Sequence, residues 1–385
     1  MDPVAEAMRS VEPRKRPRRG PKLREASFKD YDQIARLESR YGLTAAKSHE
    51  EWSHLWLGNP LYRELQAGWS IGWVLEDDNN QIVASMGNIP RLYEFDGRRV
   101  VATTGRGWVA EPEYRSASLL LLDHVINQRH VDLYVNNTVN PVSTAPVSFF
   151  QCSRVPVGLW DESAFWITNY RGFFERFLAR KQYPLAKPLS YPLSAAVFLR
   201  DRLTKQAVDS GSVEVETCSA FDDRFDDFWA DLRRCSPHLL LAVRTREVLE
   251  WHYKYSLLKN RIWIVTVADG SRIVAYAIFD KKEYPGGFKQ ARLVDFQSLD
   301  GGTTLLSALL SWALRKCRHE GVHTLVNIGR WLEKGEWLES IAPYRRRLPS
   351  WVYFYRANSP ALAESLRDRR AWAPSLFDGD ANLLR

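Results

Sequence analysis

The sequence passes twice through one succession of elements, and that repetition restricts the possible folds more than any single motif does. In the first half, residues 23–26 read as a strand, and Ser27-Phe28-Lys29-Asp30 gives a capping-box-like opening to a helix with Tyr31, Ile34, Ala35 and Leu37 on one side. The segment KSHEEWSHLWLGNPLY is a second helix, with Trp52 and Trp56 at i and i+4, stopped by Gly58-Asn59-Pro60. Two hairpins follow: 72–76 with 82–86 around Asp77-Asp78-Asn79-Asn80, and 91–95 with 98–103 around Asp96-Gly97. A strand at 107–110, a helix from 115, a strand at 131–136 and a short helix after Asn140 complete the series. The second half gives a strand at 213–217, helices at 223–234 and 245–258, and a hairpin of 262–268 with 273–279 around Asp269-Gly270. It then gives a strand at 291–297, a helix at 303–318, a strand at 322–328, a helix at 331–341 and a strand at 351–355. The residues are not repeated, only the order of elements, over a span of about 150 residues in each half. This predicts two similar mixed α/β units, and 385 residues with 45% apolar content suffice for two cores.

Composition places the boundaries. Residues 201–212 are polar and end in Asp-Ser-Gly-Ser, so they are the linker candidate between a unit at 23–200 and one at 213–385. The intervening WITNYRGFFERFL is an aromatic, helix-like run, and YPLAKPLSYPLSAAV is punctuated by proline. The formal charge is +8, but residues 1–24 hold +5 of it, in a proline-rich arm that cannot bury enough surface to fold alone. Residues 1–22 are therefore expected to be a disordered basic tail, with nucleic-acid contact its minority use. Cys152, Cys218, Cys235 and Cys317 are scattered and lack metal-ligand spacing, which predicts neither a metal site nor disulfides. Apolar runs fall far short of the roughly 20 residues a spanning helix needs, so a soluble cytoplasmic protein without membrane contact is expected.

The stretch from 107 to 127, GWVAEPEYRSASLLLLDHVIN, reads as a buried strand, a tight turn and a helix. A helix start aimed out of a sheet presents unpaired N–H groups and the positive end of the macrodipole, which suits a phosphate. Val109, Pro112 and Tyr114, followed at once by Arg115, resemble the acyl-CoA loop of the Gcn5-related N-acetyltransferases. Ser118 stands where that family has its first glycine, and Leu120 where it has its second glycine or alanine. After the next strand, Asn140 and Pro156-Val157-Gly158 match the family's closing pattern. Its tyrosine, the usual acid for the departing thiolate, falls at Phe149 or Phe150.

The resemblance implies two tandem acyl-CoA N-acyltransferase-like domains, each a mixed, mainly antiparallel central sheet flanked by helices. It implies acetyl-CoA or another acyl-CoA as co-substrate and no metal. The coenzyme would be held by Val109, Ala110, Arg115, Ser116, Ala117, Ser118, Leu119 and Asn140, and Trp52 and Trp56 would lie over the acceptor groove. The acceptor would be an amine of a small molecule or peptide that attacks the thioester directly. Glu111 is the nearest carboxylate in sequence for a catalytic role, and His124 is expected to pack within its helix. In the second half Leu299-Asp300-Gly301-Gly302-Thr303-Thr304 has no arginine at the matching place and reads as a helix cap, so that copy is expected to be degenerate or substrate-shaping. The alternative is a non-catalytic acyl-CoA-binding or scaffold protein in which both copies have lost catalysis. No Ser-His-Asp set, Cys-His set or Walker sequence stands at useful spacing, so hydrolase readings have no support.

Overall fold

The computed structural model describes residues 20–43, 48–65, 68–158, 160, 162–204, 213–301, 303–328, 341–348, 352–381 and 383. The first half runs β1 (Lys22–Glu25), α1 (Tyr31–Arg40), α2 (His49–Leu57), α3 (Pro60–Leu65), β2 (Gly72–Glu76), β3 (Ile82–Phe95) and β4 (Arg98–Ala110). It continues with α4 (Leu119–Ile126), β5 (Leu133–Val139), α5 (Pro141–Phe149), β6 (Ser153–Arg154), β7 (Glu162–Ile167) and the helical hairpin α6 (Tyr170–Arg180) and α7 (Ala186–Thr204). The second half runs β8 (Glu216–Cys218), α8 (Arg224–Cys235), β9 (Leu241–Ala242), α9 (Arg246–Leu258), β10 (Ile262–Asp269), β11 (Arg272–Tyr284) and β12 (Phe288–Ser298). Then come α10 (Thr304–His319), β13 (Thr324–Ile328), β14 (Tyr344–Arg347), β15 (Val352–Ala357) and α11 (Pro360–Ser365).

These strands build two sheets with one strand order. The first is β1-β2-β3-β4-β5-β15-β6, with β9 added beside β3, and the second is β8-β10-β11-β12-β13-β7-β14. In both, every pair is antiparallel except the fourth with the fifth, β4 with β5 and β12 with β13. The sixth place in each sheet is filled from the other half of the chain: β15 crosses into the first and β7 into the second. A cut in the sequence near residue 205 would therefore leave neither sheet whole in either piece. The core is shared in the same way, because Tyr93, Ala102 and Leu133 of the first sheet lie in one apolar cluster with Phe225, Tyr276 and Phe377.

Local chemistry explains most element ends. Asp96 and Gly97 have φ of 47° and 70°, the double positive pair of a two-residue hairpin turn joining β3 to β4. The two strands expected at 82–86 and 91–95 are one strand in the structure. Pro90 does not break it, because β2 ends opposite Gly87 and β9 begins opposite Tyr93, so at Pro90 only β4 needs a partner. Residues 201–204, expected to open a linker, continue α7, and Asp201 is buried there with its carboxylate accepting from the Tyr170 and Tyr344 hydroxyls. Residues 205–212, the basic arm through residue 19, and all but Ile341 of the helix expected at 331–341 lie outside the described residues. Among the described residues no helix is long and apolar enough to cross a membrane.

Candidate active site

The site is built where β4 and β5 part. The two parallel strands pair only through Ala102 with Leu133 and Thr103 with Tyr134, then run on to Ala110 and Val139 as the arms of a fork. One side-chain bridge spans it just above the split, from the Asn136 amide to the Gly105 carbonyl at 3.0 Å. On its other edge β4 pairs with β3, but Gly87 faces Arg106 while Ser85 faces Val109, so Gly107 and Trp108 together oppose Met86. This is a β-bulge, and Gly107 at its head has φ 66°. A Cβ on Gly107 would stand 2.3 Å from Glu38 Oε1, so the position needs glycine for close approach as well as for conformation.

Glu38 is the candidate residue that sequence reasoning missed. It is on α1 one residue past Leu37, on the stripe that Ile34 and Leu37 use to pack against the sheet, and it is 2% exposed. The Arg106 guanidinium lies 3.1 Å from its carboxylate. Burial pushes the Glu38 carboxyl above the usual glutamate range, and Arg106 opposes this only in part. The signal for it was a carboxylate at an i+4 position of an amphipathic helix's apolar face, where an acid is out of place unless it has work to do.

Beside Glu38 and the bulge lies a recess between α1, α2 and the sheet, lined in part by Trp52, Trp56, Ser85 and Gly87. Trp52 and Trp56 are 4% and 1% exposed, so they form the recess wall rather than a mobile cover. Their rings meet edge to face at 5.0 Å, and the Trp56 indole donates to the Asn88 carbonyl at 2.7 Å. The Ser85 hydroxyl, also in the wall, is buried and has no hydrogen-bond partner among the described residues.

The loop after β4 closes the end of the fork. Pro112–Tyr114 is one turn of 3-10 helix, and 115–118 continues as turns before α4 begins, four residues later than the sequence predicts. Because this stretch is already wound, the Ser118 N–H is spent on the Tyr114 carbonyl at 2.9 Å and the Leu119 N–H reaches Ser116 at 3.4 Å. The Ser118 side chain is buried and turned back onto the Arg115 carbonyl at 2.8 Å. Ser118 thus faces inward, where the family pattern has a glycine against phosphate. The free backbone donors move back one turn to Arg115, Ser116 and Ala117, whose N–H groups meet no described acceptor; Arg115 and Ser116 are exposed.

The remaining candidates divide. Val109 is buried, Ala110 half-buried, and Asn140, just past β5, is exposed at the same end of the sheet as the loop. The Asn140 side chain caps α5 by accepting from the Ser143 N–H at 2.9 Å. Glu111 is half-buried and ion-paired with the exposed Arg40 at 2.7 Å, on a different group from the recess. His124, expected to pack, is exposed; its Nδ1 lies 2.8 Å from the Leu120 carbonyl oxygen and its ring rests 5.6 Å from that of Trp73.

No model of a known protein family matches the chain, and no curated protein matches it by sequence. Solved structures do resemble it. A GCN5-related N-acetyltransferase from Kribbella flavida aligns over 88% of this chain and 71% of its own at 13% identity, with a TM-score of 0.54. A second, from Anabaena variabilis, aligns over 88% and 72% at 12% identity and TM-score 0.52. The N-myristoyltransferase of Saccharomyces cerevisiae, solved with bound myristoyl-CoA and inhibitors, aligns over 88% and 81% at 12% identity and TM-score 0.56. The chain has the fold of the Gcn5-related N-acetyltransferases and N-myristoyltransferases, in a mixed α/β form with two mainly antiparallel sheets flanked by helices.

Proposed function

We propose that this chain is an acyl-CoA-dependent N-acyltransferase whose chemistry runs in the fork of the first sheet. The reading rests on one arrangement: β4 and β5 diverge over a loop with three uncommitted N–H groups, beside a buried carboxylate. The structures it resembles are acyltransferases, one of them solved with myristoyl-CoA bound. In this reading the N–H groups of Arg115, Ser116 and Ala117 and the Arg115 guanidinium hold the pyrophosphate, with Ser118 and Leu119 shaping the turn. Val109, Ala110 and Asn140 flank the acyl arm, and Trp52 and Trp56 wall the acceptor recess. Acetyl-CoA is the donor proposed first, with longer acyl groups as the variant to compare.

The amine nitrogen attacks the thioester carbonyl carbon, the carbon–sulfur bond breaks, and the coenzyme leaves as thiolate and takes up a proton. A backbone N–H at the end of β4, beside Val109, donates to the oxygen that gains charge, a contribution typically of about 10²- to 10³-fold. Glu38, rather than Glu111, takes the proton from the attacking amine, since a carboxylate with a raised pKa is the better base near neutral pH. A lysine-like amine must lose about 4.6 kcal/mol to be neutral at pH 7 and an α-amino group about 1.4, so a site with one carboxylate base favours the weaker amine.

A non-catalytic acyl-CoA-binding role is the second reading, favoured by the inward-facing Ser118 and the committed Leu119 amide. Calorimetry of the full chain with acetyl-CoA and myristoyl-CoA, beside mass spectrometry of an amine panel, separates the two. Acyl transfer supports the enzyme, with binding weakened about tenfold or more in Arg115→Ala. Binding without transfer to any amine supports the second reading, and no binding of either thioester overturns both.

A further inference from the structure

The α6–α7 hairpin is built inside out. An ordinary surface helix turns its apolar stripe inward, yet α7 buries Ser190 and Asp201 and leaves leucines in solvent. At about 100° per residue, Leu189, Leu193, Leu199 and Leu203 fall on one stripe of α7 roughly 120° wide, and Leu185 stands in the turn just before the helix. All five are exposed, Leu199 at 58% and Leu203 at 81%. Phe177 on α6 and Tyr183 in the turn are exposed as well, whereas Phe198 lies on the other side of α7 with its ring against Tyr170 at 5.5 Å. The inward side is fixed by polar contacts: the Ser190 hydroxyl donates to the Lys187 carbonyl at 2.6 Å, and Asp201 accepts from Tyr170 at 2.6 Å and Tyr344 at 2.8 Å. Rotating α7 to hide its leucines would break the Asp201 contacts, so the exposure is a built feature.

Charge identifies what covers the patch. The exposed side chains of the hairpin include Arg171, Arg176, Arg180, Lys181, Lys187 and Arg202, whereas its acids are Glu175, half-buried, and the enclosed Asp201. The adjoining edge strand β14 adds Arg345, Arg346 and Arg347. A second copy of the chain seated on this face would bring like charges together. An anionic surface with an apolar interior satisfies both features at once: leucines enter the acyl region, and arginine and lysine stems reach up to the headgroups. We propose that the α6–α7 hairpin docks this protein on the surface of an anionic phospholipid bilayer. Membrane contact is not legible in the sequence because the leucines are spaced along a stripe; no apolar run approaches the length of a spanning helix, and surface docking needs none.

Co-sedimentation of the full chain with lipid vesicles tests this. The parent should pellet with phosphatidylcholine vesicles containing phosphatidylglycerol, less with phosphatidylcholine alone, and less as salt is raised. Leu199→Ser with Leu203→Ser should lower partition by at least tenfold at an unchanged melting temperature, since both side chains are exposed in the free protein. Lys187→Glu with Arg202→Glu should erase the preference for the anionic vesicles. The proposal is overturned if the parent stays in the supernatant with anionic vesicles. It is also overturned if the leucine variant pellets as well as the parent, which would assign binding to the basic arm. A parent that is dimeric by light scattering and becomes monomeric in the leucine variant would assign the face to a second copy instead.

Discussion

The two sheets contain the same fork, and its surroundings differ in the two. In the first, β4 and β5 stay paired through two residues; in the second, β12 and β13 pair through four, from Gln290 with Thr324 to Leu293 with Asn327. Each has a one-residue bulge beside the split, at Gly107-Trp108 in β4 and at Val294 in β12. At the first bulge sits Glu38, held by Arg106 and bordering a recess. Directly after the second comes Asp295, fully buried and gripped by Arg244 at 2.9 and 3.1 Å and by the Tyr276 hydroxyl at 2.8 Å. Arg244 also reaches Asp378 at 2.9 Å, which ties the C-terminal segment to the same buried cluster. Burial pushes both Glu38 and Asp295 upward. For Asp295 the Arg244 charge and its hydrogen bonds overcome that and hold the carboxyl below its ordinary range, whereas Glu38 stays raised. A carboxylate saturated with donors is a strut, and one left short of them can exchange a proton.

The largest test of that contrast is Arg244→Met. It strands Asp295 and Asp378 in the interior and should cost about 3–5 kcal/mol of unfolding free energy in urea titration. Arg106→Met should cost much less, because Glu38 can take up a proton in place of its partner. Equal losses would show that the first pair is as structural as the second. Next in size is Glu38→Gln, expected to lower kcat/KM by about 10²-fold. The parent's activity should fall as pH drops through the raised Glu38 pKa. Stability should move the other way. The folded state keeps the Glu38 proton where the unfolded chain has lost it, so the carboxyl opposes folding increasingly as pH rises from the ordinary glutamate value to the raised one. Glu38→Gln removes that opposition, and its stability relative to the parent should improve with pH across that window.

How far this could be read in advance depended on the range of the forces involved. The hairpin turns at Asp96-Gly97 and Asp269-Gly270, the capping box at Ser27 and the strand–loop–helix after Gly107 are local, and local chemistry makes them readable. The exchange of β7 and β15 is not local. Nothing in the alternation of either strand says whether its partner is β5 or β13, since both offer a buried parallel-fork edge of similar character. α7 was hidden by Pro188 and Pro192, although proline is tolerated in a first turn and Pro192 is carried inside the helix. Glu38 was hidden because an acid on a helix is ordinarily a solvated one. Trp52 and Trp56 stand out in the sequence as an i, i+4 pair, but only burial and ring distance show that they are packed wall.

Gly107→Ala sharpens the comparison at the bulge itself. An alanine at φ 66° costs about 1–2 kcal/mol, and its Cβ must displace the Glu38 carboxylate. Thermal unfolding should show a loss of about 1–3 kcal/mol, with activity reduced beyond what the remaining folded fraction explains. Adding Glu38→Ala should recover the part due to the clash and leave the part due to backbone conformation. If the double variant recovers nothing, the contact between Gly107 and Glu38 does not shape the site.

The smallest expected effect separates the two helix starts. Ser116 is exposed in the turn before α4, and Thr303 is the residue before α10, where no side-chain cap bond is made. A carboxylate at either place should stabilise the helix start by a few tenths of a kcal/mol up to about 1 through the dipole, with Thr303→Asp gaining a cap as well. Their effects on ligand should differ. Ser116→Asp puts a negative charge beside the N–H groups assigned to pyrophosphate and should weaken acetyl-CoA binding in calorimetry, while Thr303→Asp should leave it unchanged. Stability and affinity would then move in opposite directions at the first fork alone, which partial unfolding cannot imitate because it lowers both. If Ser116→Asp binds acetyl-CoA as tightly as the parent, the pyrophosphate is not held by that loop. If Thr303→Asp is the variant that loses affinity, the coenzyme belongs to the second fork, and the roles given to Glu38 and Asp295 exchange.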